Sequence, residues 1–437
     1  MIFLNSPETP SSFAEFCKDF CARTRGENNN AHKKLLQEQV AAIIADVQQN
    51  GDEALIRYAK KFDDIELTPD QFIINMADVD ADSLALSDDE KAAIRMAHER
   101  ISAFAAMTKP REIERTGESY VAQKYVPLDR VACYVPCGSF PLVSTVLHTC
   151  VFAHVAGVED IIVLTSPKKE GIYPAMLYAA KVAGVRSIVQ LGGVYGVAAV
   201  AYGTQTIKKV QSIAGPGNAY VTEAKKQVFG AVNIDMLAGP SEIMIIADDT
   251  ANHEYVAADL LSQAEHGSGM EQAVLVTISA SLTQSIQSCL LAQRQKLPPS
   301  AAMDRVIENG IFVINCKTIE DCAQICNHYA PEHVEILTKD PDYVEKMITS
   351  AGAIMMGEWT PEPIGDFVAG SSHVLPTGGA AKIFSGLTTA HFMKKIGIQK
   401  FNQKTLGDLR FAAEKFAQME QLPAHGRSVS IRFDAAE

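Results

Sequence analysis

The chain has 437 residues, of which 47% are hydrophobic and 21% charged, and its formal net charge at pH 7 is -13. This length exceeds what one ordinary hydrophobic core serves, so we expect two domains with accessory segments. The negative charge argues against nucleic acid and anionic membrane surfaces as partners, because both require basic patches. The start of the chain lacks the pattern of a secretory signal, and the nine cysteines contain no CxxC pair, so we expect a cytoplasmic protein with reduced thiols.

The first third of the chain has mainly helical patterns. We expect a detached N-terminal arm over residues 1–26, with a short helix in it. Residues 30–62 predict two helices separated by a glycine. A further helix is predicted over residues 84–107, with Ser87 as its N-cap. Three acidic residues follow Ser87 in the first turn, where they stabilise the positive end of the helix dipole.

The pattern changes at Val131, where short β-rich runs begin to alternate with helical stretches. The predicted strands lie near residues 131, 160 and 187 and over 242–248, 273–279, 310–316, 334–337 and 353–356. This alternation predicts βαβ units and parallel sheets that are covered on both faces. We therefore expect an α/β fold with two parallel-sheet domains. The first would combine residues 27–130 with 241–386, and the second would comprise 131–240.

The C-terminal tail, residues 387–437, is predicted to be helical with a short strand over 428–433. The tail is too small for a core of its own, so we expect it to pack onto a partner subunit. Just before it, residues 357–379 are rich in glycine and proline and show no periodicity. A long ordered loop of this kind is usually functional.

The segment 258–267, ADLLSQAEHG, predicts a helix whose last turn carries two polar side chains. Gln263 and His266 are three residues apart and therefore project from the same side, and a glycine then ends the helix. Zinc is commonly bound by three or four nitrogen and oxygen side chains. Asp366 and His425, both distant in sequence, could complete such a set. A single carboxylate would leave the site positive, which suits the polarisation of an alcohol or aldehyde oxygen.

The segment 329–334, YAPEHV, places Glu332 and His333 side by side just before a predicted strand. Adjacent side chains of an extended chain point in opposite directions, so both can reach one substrate only at a bend. An imidazole is the natural proton acceptor at neutral pH, and Glu332 offers a second base. A surface Glu-His pair without a function is the alternative on these residues alone.

The glycine-rich runs do not match the usual dinucleotide fingerprint. The run 192–196, GGVYG, is not GxGxxG and does not open a first βα turn, and a tight turn into a helix explains it equally well. The run 215–218, GPGN, follows another short β-rich run. Glycines just past strand ends are where an α/β sheet exposes backbone N–H groups to a ligand. Any cofactor binding would therefore not be of the standard type.

Eight motifs, in this order, resemble the histidinol dehydrogenase family: VPLDRVACYVP, AYGTQT, AGPGNAYVTEAK, IDMLAGPSE, DLLSQAEHG, YAPEHVEI, GDFVAGSSHVLPT and LPAHGRSVSIRF. The similarity extends from about residue 30 to 433. The resemblance implies a four-electron oxidation of L-histidinol, through L-histidinal, to L-histidine, which requires Zn²⁺ and NAD and belongs to histidine biosynthesis. It also implies a homodimer with an incomplete Rossmann-like fold repeated in two domains and a C-terminal tail exchanged between subunits.

The resemblance also implies roles for individual residues. The zinc ligands would be Gln263, His266, Asp366 and, from the neighbouring subunit, His425. Glu332 and His333 match the catalytic pair. His333 would take the alcohol proton as hydride leaves for the nicotinamide, and Glu332 would activate the water that adds to the aldehyde.

The remaining matched positions would contact the substrate or the cofactor. The substrate contacts would include the zinc ligands, His333, Ser241, His373 and Glu420. The cofactor contacts would be Tyr134, Tyr195 and Asn218. The carboxylate of Glu420 can meet the cationic amine of the substrate, and the tail would bring it from the neighbouring subunit.

The chain departs from the family pattern at three positions. Tyr195 stands where the family usually has Gln, Cys137 stands where it has Gly, and Ser372 replaces a common Asn. The change at Cys137 matters if the backbone there needs a positive φ. Two of the three departures lie in the cofactor half. We therefore expect the NAD contacts to differ from those of the family more than the zinc and proton-transfer set does.

Three other functions remain open on the sequence. A paralogue could use the same zinc and bases on another small polar alcohol, such as a sulfonated diol, although Ser241 and Glu420 favour the amino alcohol. A zinc hydrolase would use Glu332 to activate water without a redox step. A catalytically silent binding protein is disfavoured by the complete set of polar groups.

Overall fold

The computed structural model describes residues 1–7, 10–25, 30–137 and 140–436. The chain divides into two compact units, of which the first comprises Met1–Lys109 and Leu128–Phe392 and the second Pro110–Pro127 and Met393–Glu437. Within the described ranges, no helix combines the length and the apolar character needed to cross a bilayer.

The helices and strands alternate along most of the chain. The helices are α1 (Pro10–Arg25), α2 (Asn30–Asn50), α3 (Asp52–Tyr58), α4 (Asp88–Met107), α5 (Val143–Ala156), α6 (Pro174–Val182), α7 (Gly193–Tyr202), α8 (Ala219–Val228), α9 (His253–Ala264), α10 (Ala280–Arg294), α11 (Ala301–Asn309), α12 (Ile319–Tyr329), α13 (Pro341–Glu345), α14 (Glu362–Phe367), α15 (Gln403–Met419) and α16 (Pro423–Ser430). The strands are β1 (Ile2–Asn5), β2 (Ile73–Asn75), β3 (Tyr120–Pro127), β4 (Arg130–Tyr134), β5 (Asp160–Thr165), β6 (Ser187–Gln190), β7 (Ser212–Ala214), β8 (Asn233–Ile234), β9 (Glu242–Ala247), β10 (Gln272–Thr277), β11 (Ile311–Asn315), β12 (His333–Leu337), β13 (Ala353–Met356) and β14 (Met393–Lys400).

The first sheet contains six parallel strands in the order β1-β11-β10-β9-β12-β13. Side chains of α9, α10 and α11 pack on one face, and those of α1 and α12 pack on the other. Because both faces are covered, the central strands are nearly continuous apolar runs, and every residue of β9 is buried. The alternating pattern in the second half of the sequence predicted β9 to β13 correctly.

The N-terminal arm is not detached, so this expectation was wrong. Residues 2–5 form β1, which pairs in parallel with β11 at the edge of the first sheet. In α1, Phe13, Cys17 and Phe20 are buried in the core on one face of this sheet. The arm packs against the domain because the apolar side chains of α1 cover an apolar face of the first sheet, and this burial removes apolar surface from water.

The second sheet has the order β2-β6-β5-β4-β7-β8, with β2 antiparallel to β6 and the other pairs parallel. Helices α2 and α3 share its core with α7 and α8, and Val40, Val47 and Leu55 are wholly or almost wholly buried there. The expected grouping of residues 27–130 with 241–386 therefore fails for the segment up to β2. An amphipathic stripe specifies that a helix is buried, but not which sheet covers it.

The second unit consists of an antiparallel pair, β3 with β14, and the helices α15 and α16. The tail is therefore not helical from its start as expected, because residues 393–400 form β14. The strand predicted over residues 428–433 is wrong, because α16 continues to Ser430 and a 3₁₀ turn follows over Ile431–Ala436. Six residues of alternating character are too few to separate a strand from a helix by periodicity. Pro423 at the first helical position favours the helix, since its missing N–H has no intrahelical partner there in any case.

Candidate active site

Glu332 and His333 lie where α12 ends and β12 begins. Helix α12 ends at Ala330, whose φ of 52° is in the left-handed region that favours glycine. Backbone strain of this kind is concentrated at functional sites. The bend leaves Glu332 Oε2 3.8 Å from His333 Nδ1, and both side chains are buried. The two groups are therefore close enough to act on one small substrate.

Ser241 immediately precedes β9, the strand beside β12, and it holds the Glu332 carboxylate. Its hydroxyl donates to Glu332 Oε2 at 2.5 Å, and the backbone N–H of Glu242 donates to the same oxygen at 3.0 Å. Burial raises the pKa of Glu332, while the charge of His333 and these two donors act in the opposite direction. A fixed carboxylate with an increased proton affinity is suited to general-base catalysis.

Helix α9 ends beside this pair: Gln263 lies in its last turn, and His266 lies just beyond its end at Ala264, which is earlier than predicted. The Gln263 side chain is fully buried, and neither its oxygen nor its nitrogen has a hydrogen-bond partner among the described residues. A buried amide without partners costs roughly 1–3 kcal/mol, a cost that a ligand bound at this place would remove. His266 Nδ1 lies 3.2 Å from the Gln263 carbonyl oxygen, and His266 Nε2 lies 3.9 Å from Asp366 Oδ2.

The glycine- and proline-rich segment 357–379 contains α14, which brings two carboxylates to the same place. Asp366 and Glu362 are four residues apart on this helix, and their carboxylate oxygens lie with a ring nitrogen of His266 within 4.8 Å of one another. Glu362 was not singled out from the sequence. Its spacing of four residues from Asp366, just after a proline that favours a helix start, was the signal available.

The charges of this cluster are strongly coupled to one another. Burial disfavours the charged form of Asp366, but His333 and His373 outweigh this effect and hold its pKa below the usual value. Burial raises the pKa of Glu362 to about 8. For His333, burial acts to lower the pKa, but the charges of Glu332 and Asp366 prevail and raise it to about 10. Asp366 Oδ1 lies 3.5 Å from His333 Nε2.

His373 is fixed at both of its ring nitrogens. Nδ1 lies 2.9 Å from the backbone oxygen of Asp366, and Nε2 lies 3.1 Å from the Thr145 hydroxyl. The ring stacks on His148 with 4.3 Å between the centroids, and burial lowers the pKa of His373. Thr145 and His148 belong to α5 of the second sheet, so His373 lies where the two sheets approach each other. Ser372 donates to the His148 carbonyl oxygen at 2.9 Å.

The donor set of this cluster fits a divalent cation. It combines an amide oxygen, an imidazole nitrogen and carboxylate oxygens, and zinc binds His and carboxylate groups in proteins. The unpartnered oxygen of Gln263 and the Asp366 Oδ2 on the side of His266 are the atoms that a cation would satisfy. The C-terminal end of α9 adds the negative end of a helix dipole, which favours positive charge.

The carboxyl ends of the second sheet form a different kind of site. Strands β5 and β7 lie on opposite sides of β4, and in α/β sheets the crevice at such a switch point binds ligands. The Tyr134 hydroxyl, at the end of β4, accepts from the Gly193 N–H at 3.2 Å. Asn218 caps α8 by accepting from two backbone N–H groups of its first turn. Helix N-termini and glycine turns of this kind suit a pyrophosphate.

A buried ion pair holds the loop after β7. Asp235 accepts from the Gly215 N–H at 2.7 Å, and the Lys225 ammonium donates to the Gly215 carbonyl oxygen at 2.8 Å and also to Asp235. A Cβ atom at Gly215 would lie 2.2 Å from the Tyr134 carbonyl oxygen, so only glycine fits there. The loop therefore packs closely against the end of β4.

The two departures in the cofactor half are both buried. Tyr195, on α7, is 1% exposed, and its hydroxyl donates to Asp63 at 2.5 Å. Burial raises its pKa well above the usual value. Cys137 is also buried, and the glycine that follows it lies outside the described residues.

The last two predicted site residues belong to the second unit. Glu420 is the residue at which α15 ends, and His425 lies in α16. Both are exposed.

Comparison with known proteins identifies the family. The model of the histidinol dehydrogenase family matches residues 26–433. Histidinol dehydrogenase of Lactococcus lactis subsp. lactis is 40% identical over 420 residues, which is 95% of this chain and 97% of that protein. Its counterpart from Methanosarcina mazei is 40% identical over 400 residues, which is 91% of this chain and 92% of that protein.

Solved structures agree with this result. The crystal structure of histidinol dehydrogenase from Elizabethkingia anophelis has a TM-score of 0.91 at 35% identity and covers 100% of this chain and 98% of that one. An acetylating aldehyde dehydrogenase from Geobacillus thermoglucosidasius, at 15% identity and a TM-score of 0.50, shares only the fold over 89% of this chain and 97% of its own. The chain belongs to the histidinol dehydrogenase family.

Proposed function

We propose that this protein oxidises L-histidinol through L-histidinal to L-histidine, using Zn²⁺ and two molecules of NAD. As a member of its family it is an NAD-dependent oxidoreductase that acts on an alcohol and then on an aldehyde. The observation that carries the proposal is the placement of a buried base pair, Glu332 and His333, beside a donor set that contains an unpartnered Gln263.

Gln263, His266 and Asp366 would hold the zinc, and His425 of the partner subunit would complete the set. When bound, the zinc polarises the alcohol or aldehyde oxygen. Glu362 is the additional carboxylate of this cluster, and Asp366 links the metal side to His333 through their 3.5 Å contact.

The proton transfers are assigned to the base pair. In the first oxidation, one hydride leaves the alcohol carbon, and a ring nitrogen of neutral His333 takes the hydroxyl proton. The charge of a bound zinc beside Asp366 would favour this neutral form, because a nearby positive charge lowers the pKa of an imidazole. In the second, Glu332 removes a proton from the water that adds to the aldehyde, and another hydride leaves the resulting hydrate. NAD, when bound, would supply the acceptor for both hydrides. Ser241 keeps the Glu332 carboxylate in place through its hydrogen bond.

Substrate recognition uses Ser241 and His373 of one subunit and Glu420 of the partner subunit, whose carboxylate meets the amine. We propose a cytoplasmic homodimer in which the tails are exchanged, so that each tail completes the site of its neighbour. The exposed positions of Glu420 and His425 support this role. NAD would bind at the second sheet through Tyr134 and Asn218, with Tyr195 contributing from α7.

The test uses the zinc-loaded full chain with L-histidinol and NAD, followed at the NADH absorbance band. We expect two NADH for each histidinol oxidised. Glu332→Gln should slow the oxidation of supplied L-histidinal by about 100-fold or more, the usual contribution of a positioned base. Ser279→Ala, which removes a buried hydroxyl at the N-cap of α10, is the control for general destabilisation. Absence of NADH beside an active control enzyme would reject the proposal, and turnover of a different alcohol alone would favour a paralogue.

A further inference from the structure

In the second sheet, the segment that follows the second strand lacks the acidic residue that dinucleotide-binding sheets usually have there. In those sheets an Asp or Glu about 20 residues beyond the glycine-rich turn, near the end of the second strand, binds the adenosine ribose hydroxyls. Here the second strand is β5, and the residues that follow it are Ser166, Pro167, Lys168 and Lys169. The next acid, Glu170, is exposed in the following turn.

A carboxylate from another part of the chain occupies this place. Asp63 is the last residue of the π-helical turn Ala59–Asp63 that follows α3. Its Oδ2 accepts from the Tyr195 hydroxyl at 2.5 Å, and its carboxylate also accepts from the Ser166 side chain. Asp63 therefore lies between the residue after β5 and the first turn of α7, at the carboxyl edge of the sheet.

The backbone around Asp63 allows a close approach. A Cβ atom at Gly192, just after β6, would lie 1.9 Å from the Ser166 Oγ. At the next residue, Gly193, φ is 52° and a Cβ would have no neighbour within 4 Å. Space is thus left beside the N-terminus of α7, which is also where the Tyr134 hydroxyl lies.

The Asp63 carboxylate can accept further hydrogen bonds. An ionised carboxylate has about four acceptor positions, and Tyr195 and Ser166 use two of them. A ribose diol supplies two O–H donors. Lys168 is the cation that acts on Asp63 from the loop after β5, so the site would become more positive if the carboxylate charge were removed.

We propose that Asp63 binds the adenosine ribose hydroxyls of NAD in this protein and disfavours the 2′-phosphate of NADP. Tyr195 is a positioning residue that acts through Asp63 and not a direct cofactor contact. This inference rests on the proposed use of NAD. It also accounts for a tyrosine at a position where the side chain is too deeply buried to meet a cofactor itself.

The test measures dissociation constants of NAD and NADP by calorimetry on the zinc-loaded full chain, without turnover. Asp63→Asn should weaken NAD by about 10-fold or more, as expected for hydrogen bonds to a charged acceptor. NADP should bind as well as before or more tightly, because the negative charge is gone and Lys168 remains. The matched control is Asp64→Asn, whose exposed carboxylate pairs with Lys169 at 2.7 Å and should leave both constants unchanged.

A double-mutant cycle separates the two roles. Tyr195→Phe keeps the ring and removes the donor to Asp63, so it should weaken NAD in the native background. In the Asp63→Asn background it should cause almost no further loss, because its effect passes through Asp63. Equal losses of NAD affinity in both backgrounds would instead show a direct contact of Tyr195 and overturn its positioning role.

Melting temperature and zinc content show whether each variant is folded. If Asp63→Asn does not fold, Asp63→Glu replaces it, and it should weaken NAD while retaining the discrimination against NADP. Wild-type constants in the folded Asp63 variant would overturn the inference and leave the proposed function intact. Failure of the wild type to bind NAD would overturn both.

Discussion

The two sheets present opposite ends to their ligand sites. The first sheet places Ser241 and the Glu332–His333 pair at the amino ends of β9 and β12. At this edge α12 ends before β12, and α9 ends before β10, the neighbour of β9. The second sheet places Tyr134 and the loop after β7 at carboxyl ends, where α7 and α8 begin. Helix C-termini favour cations and helix N-termini favour anions. One fold motif thus presents an end that suits a cation at one sheet and an end that suits a phosphate at the other.

The two regions also differ in what forms the site. At the first sheet the groups are side chains, and several of their polar atoms are buried without partners among the described residues. At the second sheet the groups are mainly backbone N–H groups, which are held by glycine turns and a buried ion pair. Single substitutions at the first sheet should therefore remove a metal ligand or a base directly. At the second sheet they should weaken cofactor binding indirectly, through changes in loop geometry and stability.

The largest expected effect is the loss of zinc from Asp366→Asn. We expect zinc affinity to fall by more than about 100-fold, since the loss of an outer-shell partner alone can reach that size. The affinity for NAD should stay at the wild-type value, because the second sheet is unchanged. Zinc content after dialysis and calorimetry with NAD measure the two quantities.

The control for this substitution is Asp342→Asn, which alters an exposed carboxylate in α13. It should retain both zinc and NAD. Unchanged zinc in Asp366→Asn would remove the metal assignment. A parallel loss of NAD affinity would mean that the two regions are not independent.

A smaller effect is expected at the ion pair of the second sheet. Asp235→Asn leaves the Lys225 ammonium buried and unpaired, with side-chain exposures of 0% and 3% in the native pair. Breaking such a pair costs roughly 3–5 kcal/mol of unfolding free energy, and the freed Gly215 loop should weaken NAD binding more than zinc binding. Urea unfolding and the two binding measurements test this. Lys226→Met, which removes an exposed ammonium that pairs with Glu223, should cost about 0–1 kcal/mol. An equally small loss of unfolding free energy in Asp235→Asn would contradict the role of the buried ion pair in holding this loop.

The smallest effect concerns His148, where the two regions meet. Burial lowers its pKa to about 3, whereas in the unfolded chain it titrates near the ordinary value of about 6.5. Below that value the unfolded state binds a proton that the folded state does not, so stability falls as pH decreases. The slope approaches about 1.4 kcal/mol per pH unit. His148→Phe should remove this contribution. Between pH 7 and 5, its unfolding free energy should therefore decrease by about 2 kcal/mol less than that of the wild type.

Unfolding free energies at several pH values provide the measurement. His328→Phe, at an exposed position in the last turn of α12, should keep the wild-type pH dependence. Identical curves for the wild type and His148→Phe would show that His148 does not carry this acid sensitivity.

Local patterns in the sequence were enough for most secondary structure. The cap of α4 is where it was predicted, since the Ser87 hydroxyl accepts from the Glu90 N–H and needs only four residues to do so. Most strands of both sheets follow from short apolar runs in the same way, whereas β1, β2 and β8 were not predicted. The strand predicted over residues 428–433 failed because six residues contain too little periodicity to exclude a helix.

Site residues could be predicted where a motif carried them. Gln263 and His266 were found because three residues separate them on a predicted helix, although α9 ends at Ala264 and His266 lies in the turn after it. The family resemblance added Asp366. Glu362 was missed although it lies on the same helix as Asp366. Asp63 could not be found from any motif, because its position beside Tyr195 depends on the packing of α3 against the second sheet.

By itself, the sequence determined the class of fold, the family and the chemical types of the site residues, since periodicity, turn residues and motifs are short-range features. Only the tertiary structure decided which sheet α2 and α3 cover, that β1 is an edge strand, and which carboxylates share a cluster. These choices depend on complementary surfaces that meet across hundreds of residues, and no local pattern records them. The physical difference is one of range: caps and periods act within a few residues, whereas burial and charge pairing act between any residues that the fold brings into contact.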